Sequence, residues 1–321
     1  MNESNNFKFV RENTLVKNLV LIDGLGRSGK LFLAKIVSGF KETEYFQYAS
    51  LFEQIPYLVK LDALTEDAGV CLLQNHIDEY YYYRQLGRNL NLRLDDASSI
   101  YNSLEKEIYL KRSKVPYSNE LKQDVLNNNY RKFLLVLHHT LPNISIYYKA
   151  YPSLRLINIV RHPIDLIYSW YKQGLHKRVS NETFTFWPNI MGDLGPVPWY
   201  AIDWKDEFEN ISGIDRIIRS ISHLIKLGNE SEFSLTIRQK KQILTIKYED
   251  VVEKTGMVID KISLFLNSSP LNNIDEILKK ENCPRSLKIN NRNKKEKFIL
   301  SKASQKYISL VIEMSKNYNT N

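Results

Sequence analysis

The sequence predicts an α/β protein with a parallel central sheet, helices on both faces and a helical insertion. Three observations predict it. Short apolar, β-branched-rich runs recur at residues 19–22, 133–137, 154–160 and 243–248. Helical stretches alternate with them, and strands that alternate with helices join through crossovers that make a sheet parallel and bury both its faces. The first run empties into Gly24-Leu25-Gly26-Arg27-Ser28-Gly29-Lys30, ahead of a helix. A strand, a glycine-rich turn and a helix in that order are what a phosphate-binding loop requires.

The 321 residues suit one domain over 1–321. With 43% hydrophobic and 25% charged residues, the chain can bury a core, and wholesale disorder is excluded. A net charge of +9 calls for an anionic partner: a phosphorylated cofactor, a nucleic acid or an acidic surface. The basic residues are scattered rather than interleaved with aromatics on one element, so a nucleic acid is not expected. Two cysteines cannot build a disulfide framework. The six histidines show no ligand spacing, so no metal is expected. The N-terminus is polar, and no apolar run is long enough to span a bilayer. These features predict a soluble, cytoplasmic protein with no membrane span.

In chain order, residues 1–17 read as a loose polar arm and 19–22 as a buried strand feeding the Asp23-Gly24 turn. A helix runs from Lys30 to about Gly39. Residues 50–130 read as mostly helical, with Leu51, Ile55, Leu58 and Leu61 at helical spacing, and form an insertion on the α/β frame. Strands follow at 133–137 and 154–160, and Pro163 opens the next helix. Residues 180–200, with Pro, Gly and interspersed aromatics, read as a long ordered loop of the kind usually kept for function. The strand at 243–248 precedes one helix carrying Val251, Val258, Ile262 and Phe265. A polar, basic stretch over 288–297 leads to a last amphipathic helix with Phe298, Tyr307, Leu310, Val311 and Met314.

Two segments have the chemistry of anion sites. In the first, the glycines let backbone N–H groups turn inward around phosphate oxygens, and the helix adds its positive end. Arg27 and Lys30 add charge and Ser28 a hydroxyl. The pattern satisfies Gly-x-x-x-x-Gly-Lys, but Leu31 stands where the hydroxyl that holds Mg²⁺ in an ATP or GTP enzyme would be. In the second, Arg161 closes a strand and Ser169 lies six residues past Pro163, roughly 9 Å along a helix. Arg161 and Ser169 either grip one phosphate from two sides, or Arg161 pairs with Asp165 to fix the turn.

Arg161-His162-Pro163-Ile164-Asp165-Leu166-Ile167-Tyr168-Ser169-Trp170-Tyr171 resembles the 3′-phosphate motif of the sulfotransferases that use 3′-phosphoadenosine 5′-phosphosulfate (PAPS). Gly24 to Gly29 resembles that family's 5′-phosphosulfate loop. Ile246-Lys247-Tyr248-Glu249-Asp250-Val251-Val252 resembles its Tyr-Glu-Asp segment between strand and helix. The three motifs stand in the family's order over residues 19–268. The resemblance implies a P-loop-type three-layer α/β/α architecture, PAPS as co-substrate and no metal. It implies cofactor binding by Gly26, Arg27, Ser28, Gly29, Lys30, Arg161, Ser169 and Tyr248. The chain departs from the family at Lys30-Leu31, where many members carry Thr-Thr.

Sulfuryl transfer is an in-line displacement that needs cations at the leaving phosphate and a base at the acceptor. Arg27 and Lys30 are the candidate cations. His139, just past a strand, and Glu53, after the second strand region, are the candidate bases, each resembling a base of one branch of the family. Tyr80 to Tyr83, Phe184, Phe186, Trp187, Trp199 and Tyr200 are candidates to line an acceptor pocket. The run Arg292-Asn293-Lys294-Lys295 resembles, in position, the family's C-terminal loop over the 3′-phosphate, and reads equally as a solvated charged loop. The acceptor, a small molecule or a carbohydrate, stays open. The alternatives are a P-loop small-molecule kinase and a nucleotide-binding member of the same fold without catalysis.

Overall fold

The structure, a computed structural model, describes residues 7–127, 130–179, 183, 186–287 and 289–320. Strand β1 (Leu19–Asp23) is buried at every position, as an unbroken apolar run is when both faces of its sheet are covered. After it come α1 (Lys30–Ser38), β2 (Gln47–Tyr48), α2 (Leu51–Lys60), α3 (Glu66–Gln85), α4 (Lys106–Arg112), α5 (Asn119–Asn127) and β3 (Phe133–Val136). Next are α6 (Ile144–Ala150), β4 (Arg155–Val160), α7 (Pro163–Lys172), β5 (Asn189–Met191), β6 (Pro196–Pro198), α8 (Lys205–Asn210), α9 (Gly213–Phe233) and α10 (Ile237–Lys240). The chain ends with β7 (Ile243–Lys247), α11 (Tyr248–Glu253), α12 (Thr255–Leu266), α13 (Asp275–Lys280), α14 (Ile289–Leu300) and α15 (Gln305–Thr320).

Five strands form one parallel sheet in the order β2-β3-β1-β4-β7. Side chains alternate across it. Leu19, Leu21, Phe133, Leu135 and Leu156 face one core with residues of α2, α3 and α6. Val20, Ile22, Leu134, Val136, Ile157 and Ile159 face the other, with α1 and α12. The result is the three-layer α/β/α frame the sequence predicts. Because all five strands run the same way, Gly24, His138, Arg161 and Tyr248 emerge at one edge of the sheet, where ligands bind in open α/β folds.

Several boundaries differ from the sequence expectations. Within 50–130, residues 86–105 carry no α-helix. Gly87 and Asn89 have positive φ, and Asp96 accepts from the Ser98 backbone and hydroxyl; such local bonds compete with helix. The described part of the expected loop at 180–200 contains the antiparallel ribbon β5–β6, and a 3₁₀ helix (Trp199–Trp204) follows it. The single helix expected after β7 is two, α11 and α12. The last helix is also two, broken at residues 301–304, where Asp215 accepts the Ser304 N–H at 3.0 Å. The basic stretch therefore lies mostly in α14 rather than in a loop; Lys288 and Phe184 lie outside the described residues.

The arm is not loose over residues 7–17. The Asp78 carboxylate of α3 accepts the N–H groups of Leu15 and Val16 and pairs with Arg11. The helical segment is fixed to the frame by Glu44, fully buried amid Arg84, Arg112 and Arg131. A buried charge is tolerated only when paired in this way.

Candidate active site at the strand ends

The turn after β1 needs its glycines for definite reasons. Gly24 has φ +148°, and a Cβ there would lie 2.3 Å from the Ile159 carbonyl oxygen. Gly29 has φ +103°, and a Cβ would meet the Tyr248 ring at 2.5 Å. Only glycine takes this backbone without strain. Arg27 also has positive φ, at +66°, which is uncommon outside glycine and is a mark of functional turns.

The structure brings the two predicted anion segments together. Arg161 Nη1 donates to the Arg27 carbonyl at 2.8 Å, and Arg27 Nε donates to Ser169 Oγ at 3.3 Å. Trp170 Nε1 donates to the Gly26 carbonyl at 2.7 Å, tying α7 to the loop. The Arg161 guanidinium lies over the Tyr248 ring, 4.4 Å from its centroid. Arg161 does not pair with Asp165; that carboxylate takes Arg292 at 3.0 Å and Lys295 at 2.5 Å instead. Arg292 also binds Glu249. Those two basic side chains thus pin α14 to α7 and α11, and they are not a solvated loop.

Among the described residues, neither Arg27 nor Arg161 is in an ion pair. Two guanidinium groups at one turn, neither held by a carboxylate, suit an anion. Arg161 Nε and Ser28 Oγ are buried and have no hydrogen-bond partner. Buried polar atoms are normally satisfied, so these orphaned donors fit a phosphorylated ligand. Leu31, the departure from Ser or Thr, is 47% exposed.

Lys30 is buried, its Nζ donating to the carbonyls of Gly24 at 2.6 Å and Leu25 at 3.2 Å. Burial pulls its pKa down to about 8, while Asp23 and Glu53 oppose the shift. Glu53, in the first turn of α2, is 2% exposed. Burial pushes its carboxyl up to about 8 against the pull of Lys30 and of hydrogen bonds from His138 and Tyr48. His139 has φ +55°; its Nε2 is buried and unpartnered, with Tyr200 5.9 Å away edge-on. Burial, then His138 and Lys30, hold its pKa well below the usual value.

A cleft of about 550 Å³ runs along this edge, lined among others by Gly24, Ser28, His139, Arg161, Gly228 and Tyr318. It joins Arg161 to His139. Trp199 stacks on Tyr57 at 4.2 Å behind His139. The tyrosines 80–83 are elsewhere: Tyr81 packs on Phe133 and Tyr80 on Phe52 within the core. Sequence reasoning missed Tyr48, His138 and Trp170. Trp170 lies inside the quoted motif, and His138 adjoins His139; Tyr48 carried no signal. Among the described residues no group of three or more His, Cys, Asp or Glu is placed to hold a metal ion, and no helix is long and apolar enough to cross a membrane.

No curated protein matches the sequence. Three solved structures are similar at low identity. The sulfotransferase domain of the Synechococcus PCC 7002 olefin synthase is 12% identical over 98% of each chain, with a TM-score of 0.46. The sulfotransferase domain from the curacin biosynthetic pathway is 14% identical over 85% of this chain and 79% of that one, with a TM-score of 0.45. The sulfotransferase STF1 of Mycobacterium tuberculosis H37Rv is 12% identical over 94% of this chain and 76% of its own, also at 0.45. The family model described as "Sulfotransferase domain" matches residues 17–314, almost the whole chain. The chain belongs to the sulfotransferase family.

Proposed function

We propose that the protein transfers a sulfuryl group from PAPS to a hydroxyl or amine of a small-molecule or carbohydrate acceptor. One observation carries the reading. Arg161, Ser169 and Arg27 meet beside the Gly24–Lys30 turn, Arg27 and Arg161 being 134 residues apart, and donors there are left unmet. A nucleotide with phosphates at both 3′ and 5′ positions fits such a site.

In this reading Gly26, Arg27, Ser28, Gly29 and Lys30 hold the 5′-phosphosulfate side. Arg161 and Ser169 hold the 3′-phosphate, and Tyr248 supports the Arg161 guanidinium from beneath. PAPS, when bound, supplies a sulfuryl group on a phosphate leaving group. Arg27 and Lys30 stabilise the negative charge that develops on that leaving group. The acceptor oxygen or nitrogen attacks in line, and a base takes its proton. Of the two candidates, Glu53 suits the task better. A base works best with a pKa near the operating pH; burial brings Glu53 to about 8, whereas His139 is held far below its usual value. His139, at the cleft wall, serves as the hydrogen-bond partner that orients the acceptor.

The test compares binding of 3′-phosphoadenosine 5′-phosphate (PAP) and Mg²⁺-ATP by calorimetry, with and without EDTA. Tight PAP binding that survives EDTA, together with acceptor-dependent formation of PAP from PAPS, supports the reading. Tight, metal-dependent ATP binding with which PAP does not compete replaces it with a P-loop kinase. PAP binding without turnover of PAPS under any acceptor leaves a nucleotide-binding protein without catalysis.

A further inference from the structure

We propose that His138 and Tyr48 are positioning residues that hold the Glu53 carboxylate ionised and aimed for proton abstraction. The inference rests on the sulfuryl-transfer reading in taking Glu53 as the base. It goes beyond that reading by assigning two residues that none of the family-like motifs contains.

The geometry points to both. One oxygen of Glu53, Oε1, accepts the His138 backbone N–H at 2.6 Å and lies 2.9 Å from His138 Nδ1. The Tyr48 ring stands edge-on to the His138 ring at 5.4 Å, and its hydroxyl pulls the Glu53 carboxyl toward the ionised form. Tyr57, on the same helix as Glu53, donates to the His138 carbonyl at 2.8 Å and holds the backbone that makes the first bond. Glu53 therefore sits against donors on the turn after β3, with Tyr48 of β2 beside them. That turn is far from α2 in sequence, His138 being 85 residues from Glu53, whereas β2 immediately precedes α2.

The charge states are consistent with this role. The groups that act on Glu53 are Lys30 from α1, Tyr48 from β2 and His138, its charge is felt by Tyr57 from α2 itself and Tyr147 from α6, and Asp23 from β1 acts on Lys30 and His138. Burial, then Lys30, hold the His138 ring neutral, its pKa down at about 3. A neutral imidazole has one donor and one acceptor nitrogen. Beside an ionised carboxylate that already takes the backbone N–H, the proton belongs on Nδ1, which leaves Nε2 free. In the reaction step the acceptor O–H bond breaks and its proton passes to Glu53, while the acceptor oxygen bonds to sulfur as the S–O bond to the 5′-phosphate breaks and PAP leaves with that electron pair. The His138 donors, with Tyr48 adding to them, favour the ionised form before that step and hold the carboxyl in place. Removing a charge-assisted donor disfavours the ionised form.

The experiment measures the titration midpoint of Glu53 by ¹³C carboxyl NMR, and kcat for PAP formation from PAPS with a hydroxyl or amine acceptor against pH. The proteins are the wild type, His138→Leu, His138→Asn and Tyr48→Phe. In His138→Leu, with its backbone N–H intact, both the midpoint and the acid limb of kcat are expected to rise by about one unit, a roughly tenfold loss at pH 7. PAP affinity stays at the wild-type value. The Asn variant, which returns an N–H donor near the Nδ1 position, recovers most of the loss. Tyr48→Phe shifts the midpoint the same way and keeps the test decisive should His138→Leu not fold. A Glu53 midpoint that is unchanged in every folded variant overturns the inference. If the wild type forms no PAP from PAPS with any hydroxyl or amine acceptor, the sulfuryl-transfer reading fails, and the midpoints alone decide whether His138 and Tyr48 govern Glu53.

Discussion

The guanidinium of Arg161 grips the backbone of Arg27, Nη1 to carbonyl at 2.8 Å, and lies against the Tyr248 ring on its other side. A residue at the end of β4 is thus locked to the turn after β1 and to the first residue of α11. Three separate motifs become one surface through this single side chain.

Arg161→Ala is expected to weaken PAP binding about ten- to hundredfold, the loss of a charge-assisted contact worth ~1.5–3 kcal/mol. Adenosine 5′-phosphosulfate, which lacks the 3′-phosphate, is expected to lose much less. Calorimetry with both ligands makes the comparison. Equal losses would show that Arg161 only props up the loop.

Gly29→Ala tests the turn itself. A Cβ would stand 2.5 Å from the Tyr248 ring on a backbone with φ +103°. We expect a stability loss of about 1–3 kcal/mol from strain and overpacking, measured by denaturant unfolding. Tyr248→Ala in the same chain is expected to relieve the clash but not the φ strain, so only part of the loss returns.

The rate is expected to pass through a maximum near pH 8. Glu53 must be ionised, so activity rises as pH climbs through its raised value of about 8. Lys30 must be charged, so activity falls as pH passes its lowered value, also about 8. The two groups feel each other, so each limb belongs to the pair. Glu53→Gln is expected to remove the rising limb and to lower kcat by ~10²–10⁴. A pH–rate profile of the wild type that stays flat from pH 6 to 10 rules out this acid–base pair.

Glu44 links pH to stability. Burial would raise its pKa, but Arg112, Arg84 and Arg131 outweigh that and hold it far below the usual carboxylate range. Because the folded value is depressed, the stabilisation is fully present above the unfolded value of about 4.3 and is lost as pH falls below it toward the folded value. Glu44→Gln leaves three guanidinium groups without their shared counter-charge. We expect it to cost ~3–5 kcal/mol at pH 7, read from urea midpoints. It is also expected to flatten the pH dependence of stability between pH 5 and 3. A variant as stable as the wild type contradicts this account.

How much of the site was legible depended on how local its chemistry is. The turn 24–30 announced itself because glycines, a cation and a following helix are neighbours in the chain. Arg161 and Ser169 were legible because a strand end and one helical turn set their spacing. The competing expectation of an Arg161–Asp165 pair failed because Asp165 is claimed by Arg292 and Lys295, some 130 residues away. Two of the candidate pocket-lining aromatics, Tyr80 and Tyr81, belong to the core, since an aromatic run shows no direction until its helix is packed.

By itself the sequence determined four strands of the main sheet, their parallel order of travel and the glycine turn after the first, because apolar runs and turn residues act within a few positions of themselves; it did not show β2, β5 or β6. The tertiary structure decided what those elements meet. It put His138 on Glu53, broke the last helix at residues 301–304 through Asp215, and turned the basic stretch into a helix held by Asp165 and Glu249. Each of these rests on a partner at least 40 residues distant, and on burial that removes water as a competitor. Neither the partner nor the burial exists until the sheet has closed around them.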